Sequence, residues 1–349
     1  MCSALWCGPA EALEVREIAH VEGAHLQSPS FSEDGTQLAW EANFHDRKVL
    51  HLYVGTPKGA GQRVEPPVRA RSSFSKGFEG TGHEGVAHEL AWAPRYLNAF
   101  VYSATNLEDD YDLYVGTAAI VRSPGADGGA AWSPDGGYIV FASARSGDGD
   151  LYLIDVAKIE EPPRQLTSIP RASELHATWS PDSKGLAFVA HGTSGDNLWW
   201  LPTLDGAPVQ LTNAKGSQLH PRFSPDGHRI AYYANAPGSE QFSLYVMDVK
   251  PGSTPRRLLD AVIVDSHGPA WLDEVSLLAV ADEDDAFDPV VRVTVAGERS
   301  NLPLDTVGNR DLAVVRTETG VRVAWCAQGQ RDGLKRDFRR LYTTELSLP

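Results

Sequence analysis

The stretch that decides the fold runs from His176 to Thr212: HATWSPDSKGLAFVAHGTSGDNLWWLPTLDGAPVQLT. An aromatic anchor, Trp179, precedes the turn Ser180-Pro181-Asp182-Ser183. Proline presets φ at the second turn position and the aspartate side chain bonds its own backbone, so these residues specify a turn by mechanism. Apolar runs follow at Leu186–Ala190, Leu198–Leu201 and Val209–Leu211. They are short, rich in Val, Leu, Phe and Trp, and bounded by Gly, Pro, Asn and Asp, which is strand chemistry. With the segment that carries Trp179 they make four short antiparallel strands.

The module recurs. Trp132-Ser133-Pro134-Asp135-Gly136 opens one further copy and Phe223-Ser224-Pro225-Asp226-Gly227 another. Weaker copies start at Phe31, Trp92 and Trp271, and a unit without an aromatic anchor starts near Leu312. The anchors Trp92, Trp132, Trp179, Phe223 and Trp271 are spaced 40, 47, 44 and 48 residues apart. Four strands per unit at this period predict the blades of an all-β, seven-bladed β-propeller, with six blades as the alternative if the last unit is not a blade. Residues 12–20 (ALEVREIAH) read as the last strand of a blade, yet they precede the first anchor. The expectation is that residues 1–11 form a tail and that residues 12–349 form one domain, in which the N-terminal strand completes the last blade and leaves no open edge.

The Trp-Ser-Pro-Asp-Gly anchor, the strands beginning Asp150-Leu151-Tyr152 and Asn197-Leu198-Trp199, and the closing Gln165-Leu166-Thr167 and Gln210-Leu211-Thr212 resemble the repeat of TolB-type β-propellers. The propeller domains of the prolyl oligopeptidase family carry a similar repeat. The resemblance implies a fold, because this repeat serves unrelated functions. It implies three readings of function. The first is a non-catalytic scaffold that holds a protein or peptide across the channel mouth. The second is a metal-dependent lyase or hydrolase using the channel, as in the oligogalacturonate lyases of this propeller type. The third is a gating propeller for a separate peptidase chain.

Charge narrows the partners. The balance of 31 basic and 46 acidic residues gives −15, which disfavours nucleic acid and anionic membranes and favours basic partners or cations. No apolar run is long enough for a transmembrane helix and the first residues lack a basic signal-like region, so membrane insertion is not expected. The three cysteines, Cys2, Cys7 and Cys326, are an odd count that suits a reduced cytoplasmic setting, or a periplasmic one if a signal peptide has been removed. A monomer, or one part of a larger complex, is expected.

Three groups of residues are candidates for function. The segment 65–88 is too long for an ordinary connection and carries Arg69, Arg71, Phe74, Lys76 and Phe78; it reads either as a mobile linker or as a basic-aromatic piece that docks a partner or covers the channel mouth. His176 and His220 stand three residues before their anchors, His88 and His267 four before, and His25 six before. Imidazoles gathered at the starts of inner strands suit a divalent cation such as Zn²⁺ in the channel; otherwise they bond neighbouring blades and no cofactor is needed. The acidic stretches 106–112, 146–150 and 282–288 connect second and third strands and offer hard oxygen ligands, but none matches a calcium-loop spacing. Asp112 and Asp150 read as strand caps, and 331–340 (RDGLKRDFRR) as a solvated loop. There is no Gly-x-Ser-x-Gly elbow and no phosphate-binding glycine loop, so neither serine-hydrolase nor nucleotide chemistry is signalled.

Overall fold

A computed structural model describes residues 13–44, 49–63, 90–94, 99–105, 111–116, 118–193, 195–264, 268–283, 287–318, 320–330 and 338–347. The quoted module folds as its chemistry dictates. Its strands are Ala172–Trp179, Leu186–Gly192, Gly195–Leu201 and Val209–Gln210, paired in that order as one antiparallel sheet. In its turn, Ser183 N–H donates to Ser180 O at 2.9 Å, and Lys184 N–H to Asp182 Oδ1 at 3.2 Å. The fourth residue of the turn after the anchor is left-handed in units 1, 3, 4 and 5: Gly35, Gly136 and Gly227 occupy it at φ +65°, +70° and +73°, and Ser183 at +61°. Glycine fits there without strain. Ser183 offsets its strain with a bond glycine cannot make, as its Oγ accepts from Asp135 N–H of the preceding sheet at 3.0 Å.

The same four-strand set repeats along the chain, and the sets are numbered here as units 1 to 7. Unit 1 comprises His25–Phe31, Leu38–Phe44, Val49–Thr56 and Gly59–Arg63; unit 2, Ala91–Trp92, Phe100–Thr105, Tyr111–Val115 and Ala118–Val121. Unit 3 comprises Asp127–Trp132, Tyr138–Ser143, Asp150–Asp155 and Arg164–Gln165; unit 4 is the module above. Unit 5 comprises Gln218–Phe223, Arg229–Asn235, Phe242–Asp248 and Arg256–Ile263; unit 6, Ala270–Trp271, Ser276–Ala281, Val290–Thr294 and Arg299–Asn301. These two join into one eight-stranded sheet because Val262 and Ile263 also pair with Ala281 and Val280. Unit 7 has Arg310–Thr317, Gly320–Ala327 and Arg340–Leu346, and its fourth, outer strand is the N-terminal Arg16–Ala19, antiparallel to Arg340–Leu346.

The core lies between sheets. Trp179 packs with Val140 and Leu153 of unit 3 and with Leu186 and Phe188 of its own unit. Phe223 packs with Val189 and Leu198 of unit 4 in the same way. Three anchors add a latch: the indole Nε1–H of Trp92, Trp179 and Trp271 donates to the backbone oxygen of Ser30, Ala131 and Arg222, at 2.9, 3.0 and 3.0 Å. Each acceptor stands one residue before the anchor of the preceding unit. Trp132 makes no such bond, and its Nε1 is buried without a partner. The inner strands touch from sheet to sheet: units 1 and 2, 2 and 3, 3 and 4, 4 and 5, 6 and 7, and 7 and 1.

Candidate functional site at the inner strands

The inner strand of five units carries a register shift, just before the anchor in four of them, between Gln27 and Ser30, Gly128 and Ala131, Leu175 and Thr178, and Leu219 and Arg222, and between Arg310 and Ala313 in the unanchored last unit. Such a bulge inserts an extra residue and re-aims its side chain. The inserted residue is left-handed each time: Ser28 at φ +53°, Gly129 at +61°, His176 at +53°, His220 at +51° and Asp311 at +54°. Gly268, at φ +80°, stands at the matching place in unit 6. Four of these six are not glycine, and a non-glycine left-handed residue is uncommon enough to mark a place held for a reason.

The bulges bring side chains of neighbouring units together. The rings of His176 and His220 stack with centroids 4.0 Å apart and 27° between planes. Gly268 has no side chain because one would meet His220 O at 2.7 Å and Arg222 Cγ at 3.2 Å. His176 is partly buried, with its ring deep among protein atoms. Burial, and then the positive charge of Arg222, push its pKa down to about 4, while Asp196 opposes them. Its Nδ1 is buried with no hydrogen-bond partner. Burial likewise pushes Arg222 down to about 10, with Tyr233 opposing. At neutral pH the His176 imidazole is uncharged, and it lies beside a desolvated guanidinium.

Asp196 has a second histidine. His191 Nδ1–H donates to Asp196 Oδ1, and this bond raises the His191 pKa against the effect of burial. His191 sits at the end of Leu186–Gly192, beside a cavity of about 270 Å³ whose lining includes Asp148, Arg171, Ser173 and Thr193.

Units 7 and 1 bring together carboxyl groups. Glu41, only 4 % exposed, lies opposite Gln27 in the ladder and accepts from Gln27 Nε2 at 3.1 Å. Burial, with a smaller contribution from the charge of Asp311, raises its pKa to about 7 against hydrogen bonds from Gln27 and Ser28.

Of the histidines singled out in the sequence, the structure joins His176 and His220. It places His25 apart, its ring 5.3 Å from Phe338 and its Nδ1 accepting from Arg339 N–H at 3.3 Å. His88 and His267 lie outside the described residues, as do Arg69, Arg71, Phe74, Lys76 and Phe78 and the rest of 65–88. Among the described residues no group of three His, Cys, Asp or Glu side chains is arranged to hold a metal ion. Asp150 opens its strand and accepts from Gln165 Nε2 at 2.8 Å. Of the basic stretch 331–340, residues 338–340 are described; Arg340 lies in a strand and pairs with Glu17 of the N-terminal strand. Arg222, Asp196, Glu41 and Asp311 escaped sequence reasoning. Counting three residues back from the anchors Phe31, Trp132, Trp179, Phe223 and Trp271 gives Ser28, Gly129, His176, His220 and Gly268, which is the signal that marks this column; the same count from Trp92 gives Glu89, which lies outside the described residues.

No protein-family model matches this sequence, and no curated protein matches it. Solved structures do match. An oligogalacturonate lyase in complex with manganese superposes with a TM-score of 0.63 at 13% identity, over 93% of this chain and 90% of that one. A puromycin hydrolase gives 0.65 at 14% identity over 93% of this chain, which spans 52% of the hydrolase. TolB from Acinetobacter baumannii gives 0.56 at 16%, over 81% and 67%. The fold is a β-propeller. Its four-stranded sheets are blades, and the bulged inner strands face the middle of the propeller. Identities this low establish shape alone, and the residues at the inner strands have to speak for function. Among the described residues no helix is long and apolar enough to cross a membrane.

Proposed function

We propose that this β-propeller binds a small carboxylate-bearing molecule in its central channel and acts on it as a lyase or hydrolase. The frame for this reading is a single ring of seven blades over 12–349, closed by the pairing of Arg16–Ala19 with Arg340–Leu346. The observation that carries it is the buried, unpartnered Nδ1 of His176, stacked on His220 within the field of Arg222. A buried polar atom without a bond costs about 1–3 kcal/mol, and one persists where a ligand supplies the partner.

The chemistry follows from the charges. Arg222 takes the carboxylate through charge-assisted hydrogen bonds. That binding cancels the field that depresses His176, so the imidazole becomes a stronger base once substrate is present. A base beside a held carboxylate suits elimination: it takes the proton from the carbon next to the carboxylate, the electron pair forms a double bond, and the substituent oxygen on the neighbouring carbon leaves and is protonated. The whole-chain likeness to an oligogalacturonate lyase agrees with that reaction class. The metal in that lyase has no counterpart here among the described residues, which hold no three-ligand group, so no step is assigned to one.

Docking of a basic protein at the mouth is the second reading, favoured by the formal charge of −15. The large apolar residues exposed among the described ones, Val209, Val275 and Phe338, sit on three different blades and form no docking core.

The test is titration with oligogalacturonate and with short carboxylate-bearing peptides, combined with turnover assays. Arg222→Met should weaken binding at least ~10-fold. His176→Asn should keep binding and lower turnover by about 100-fold or more. Anion binding unchanged in Arg222→Met would sink the channel reading. Salt-sensitive capture of a basic protein by both variants alike would favour the docking surface.

A further inference from the structure

We infer that the cavity between blades 3 and 4 is a second binding site, which takes a phosphate group, free or esterified to a small alcohol, between Arg171 and His191. It shares no lining residue with the channel site and does not rest on the channel reading.

Arg171 is the residue that points to a ligand. It is the third residue of the turn Ile169-Pro170-Arg171-Ala172, in which Ala172 N–H donates to Ile169 O at 3.2 Å, and its φ is +63°. Blade 1 is entered by the same turn. There Ala24 N–H donates to Val21 O at 3.2 Å, and the third residue is Gly23 at φ +77°. Both residues stand eight before their anchors, Trp179 and Phe31. A left-handed third residue of a turn is glycine or asparagine for steric reasons. Blade 4 keeps an arginine where glycine would sit without strain, and strain held in this way is typical of ligand clamps. The guanidinium lines the cavity and makes no hydrogen bond or ion pair among the described residues. Asp148 lines the same cavity, yet the two charges do not pair.

The walls are fixed in advance. Ile169 N–H donates to Glu174 Oε1 at 2.7 Å, which ties the entry turn to the inner strand of blade 4. Ser173 Oγ–H donates to Asp148 O at 2.6 Å and Glu174 N–H to Gly149 O at 2.8 Å, so the blade 3 loop is fastened to the same strand. Ser173, His191 and Asp196 stand opposite one another across three adjacent strands. Asp196, only 3% exposed, holds Nδ1 of His191 and leaves Nε2 as the free nitrogen of the ring. A preformed cavity binds with little ordering cost.

The groups left over are donors. Arg171 offers its N–H groups, His191 offers Nε2–H when protonated, and Thr193 offers a hydroxyl, whereas the Ser173 hydrogen is already given to Asp148 O. They come from the entry turn, the second strand and the hairpin that follows it. Three directions suit a tetrahedral oxyanion better than a planar carboxylate. The charges near His191 are Asp196 on the third strand, Asp148 on the blade 3 loop and Arg171 on the entry turn. The bond to Asp196 raises the His191 pKa, which favours the donor form. The protonated ring offsets Asp196, Arg171 attracts the anion, and the exposed Asp148 opposes it.

Calorimetric titration of the full chain with inorganic phosphate, sulfate and glycerol phosphate tests this. Arg171→Gly should weaken phosphate binding at least ~10-fold. It should leave the thermal midpoint unchanged or higher, because glycine suits the left-handed turn, so a loss of binding is not a loss of fold. His191→Gln should also weaken binding. Sulfate keeps its charge across the pH range used, and should bind more tightly at about pH 6 than at about pH 9, since His191 gives up its proton as pH rises. Asp148→Asn should tighten phosphate binding. Tighter binding of glycerol phosphate than of phosphate identifies the ester as the ligand, and the reverse identifies the free ion. Phosphate binding kept in Arg171→Gly and lost in Arg222→Met would move the anion to the channel and overturn the inference. Unchanged binding in Arg171→Gly, weaker binding in Asp148→Asn, sulfate affinity independent of pH, or no saturable binding of either phosphate compound at millimolar concentration overturns it as well.

Discussion

Blade 4 and blade 7 build the same four-stranded sheet by different routes. Blade 4 is one continuous run, 172–210, in which each strand pairs with the next along the chain. Blade 7 takes three strands from 310–346 and the fourth from Arg16–Ala19. Closing short loops costs little entropy, whereas pairing the two ends of the sequence costs more and must be offset by packing. The outer strands show where that offset lies. In blade 4, Val209 and Gln210 are both exposed. In blade 7, Val15 joins the cluster around Trp325, and Ile18 and Ala19 join the cluster of Leu26 and Trp40 in blade 1. Arg340 pairs with Glu17, and Thr344 Oγ1–H donates to Glu14 O at 3.1 Å. One outer strand trims a sheet, and the other joins blade 7 to blade 1.

The largest expected effect follows from that asymmetry. Deleting residues 13–19 removes three packed apolar residues and a row of strand hydrogen bonds, and should cost on the order of 5 kcal/mol. It also bares Arg340–Leu346 as an open edge, so the variant should associate as well as unfold early. Replacing Val209 and Gln210 by glycine and serine should cost less than about 1 kcal/mol. Urea unfolding read beside light scattering checks both, and equal losses in the two variants would show that the N-terminal strand has no special role.

The contrast also explains what could be read in advance. Blade 4 was legible because its instructions are local: Trp179, Pro181 and Asp182 each act within a few residues. The N-terminal strand was legible only as a strand without a partner, and counting blades supplied the partner. The bulges were not legible one by one. His176 and His220 stand out in the sequence only by their distance from the anchors, and nothing local signals that their backbone is left-handed. Glu41 was invisible for a further reason. It lies inside a strand reading LAWEANF, and nothing local says that it is buried beside Gln27 and Ser28 of the neighbouring strand. Burial of a carboxyl group shows in a sequence only when its neighbours in space are known.

Glu41 offers the next test of the junction. Its folded-state pKa is raised to about 7 from an ordinary value of 4.5. A raised carboxylic acid favours the folded state while protonated, so its contribution is complete below about pH 4.5 and is lost as pH climbs through 7. The loss is on the order of 3 kcal/mol at the top of that window. Glu41→Gln keeps the shape without the charge. The variant should therefore gain stability relative to the parent as pH rises from 5 to 8, and match it near pH 4. Parallel stability curves across that range would mean that the carboxyl group ionises freely and that the junction of blades 7 and 1 is not held by a protonated acid.

The smallest effect concerns the anchors, where two neighbouring interfaces differ by one hydrogen bond. Trp179 fills the space between blades 3 and 4 and donates its indole N–H to Ala131 O at 3.0 Å. Phe223 fills the space between blades 4 and 5 with a ring that has nothing to donate. Both anchors are nearly buried, at 6% and 9% exposure, so burial alone does not separate them. Trp179→Phe converts the first interface into the second. It removes one hydrogen bond, worth about 1 kcal/mol net, and part of a ring, which adds a comparable cost. The midpoint of urea unfolding should fall while its slope stays constant, because the same surface is exposed on unfolding. A loss no greater than that of Phe223→Leu would show that the ring alone matters and that the indole bond adds nothing. A larger one would mean that the latch to the preceding blade holds the bulge of blade 3, and with it the bare position at Gly129, in register.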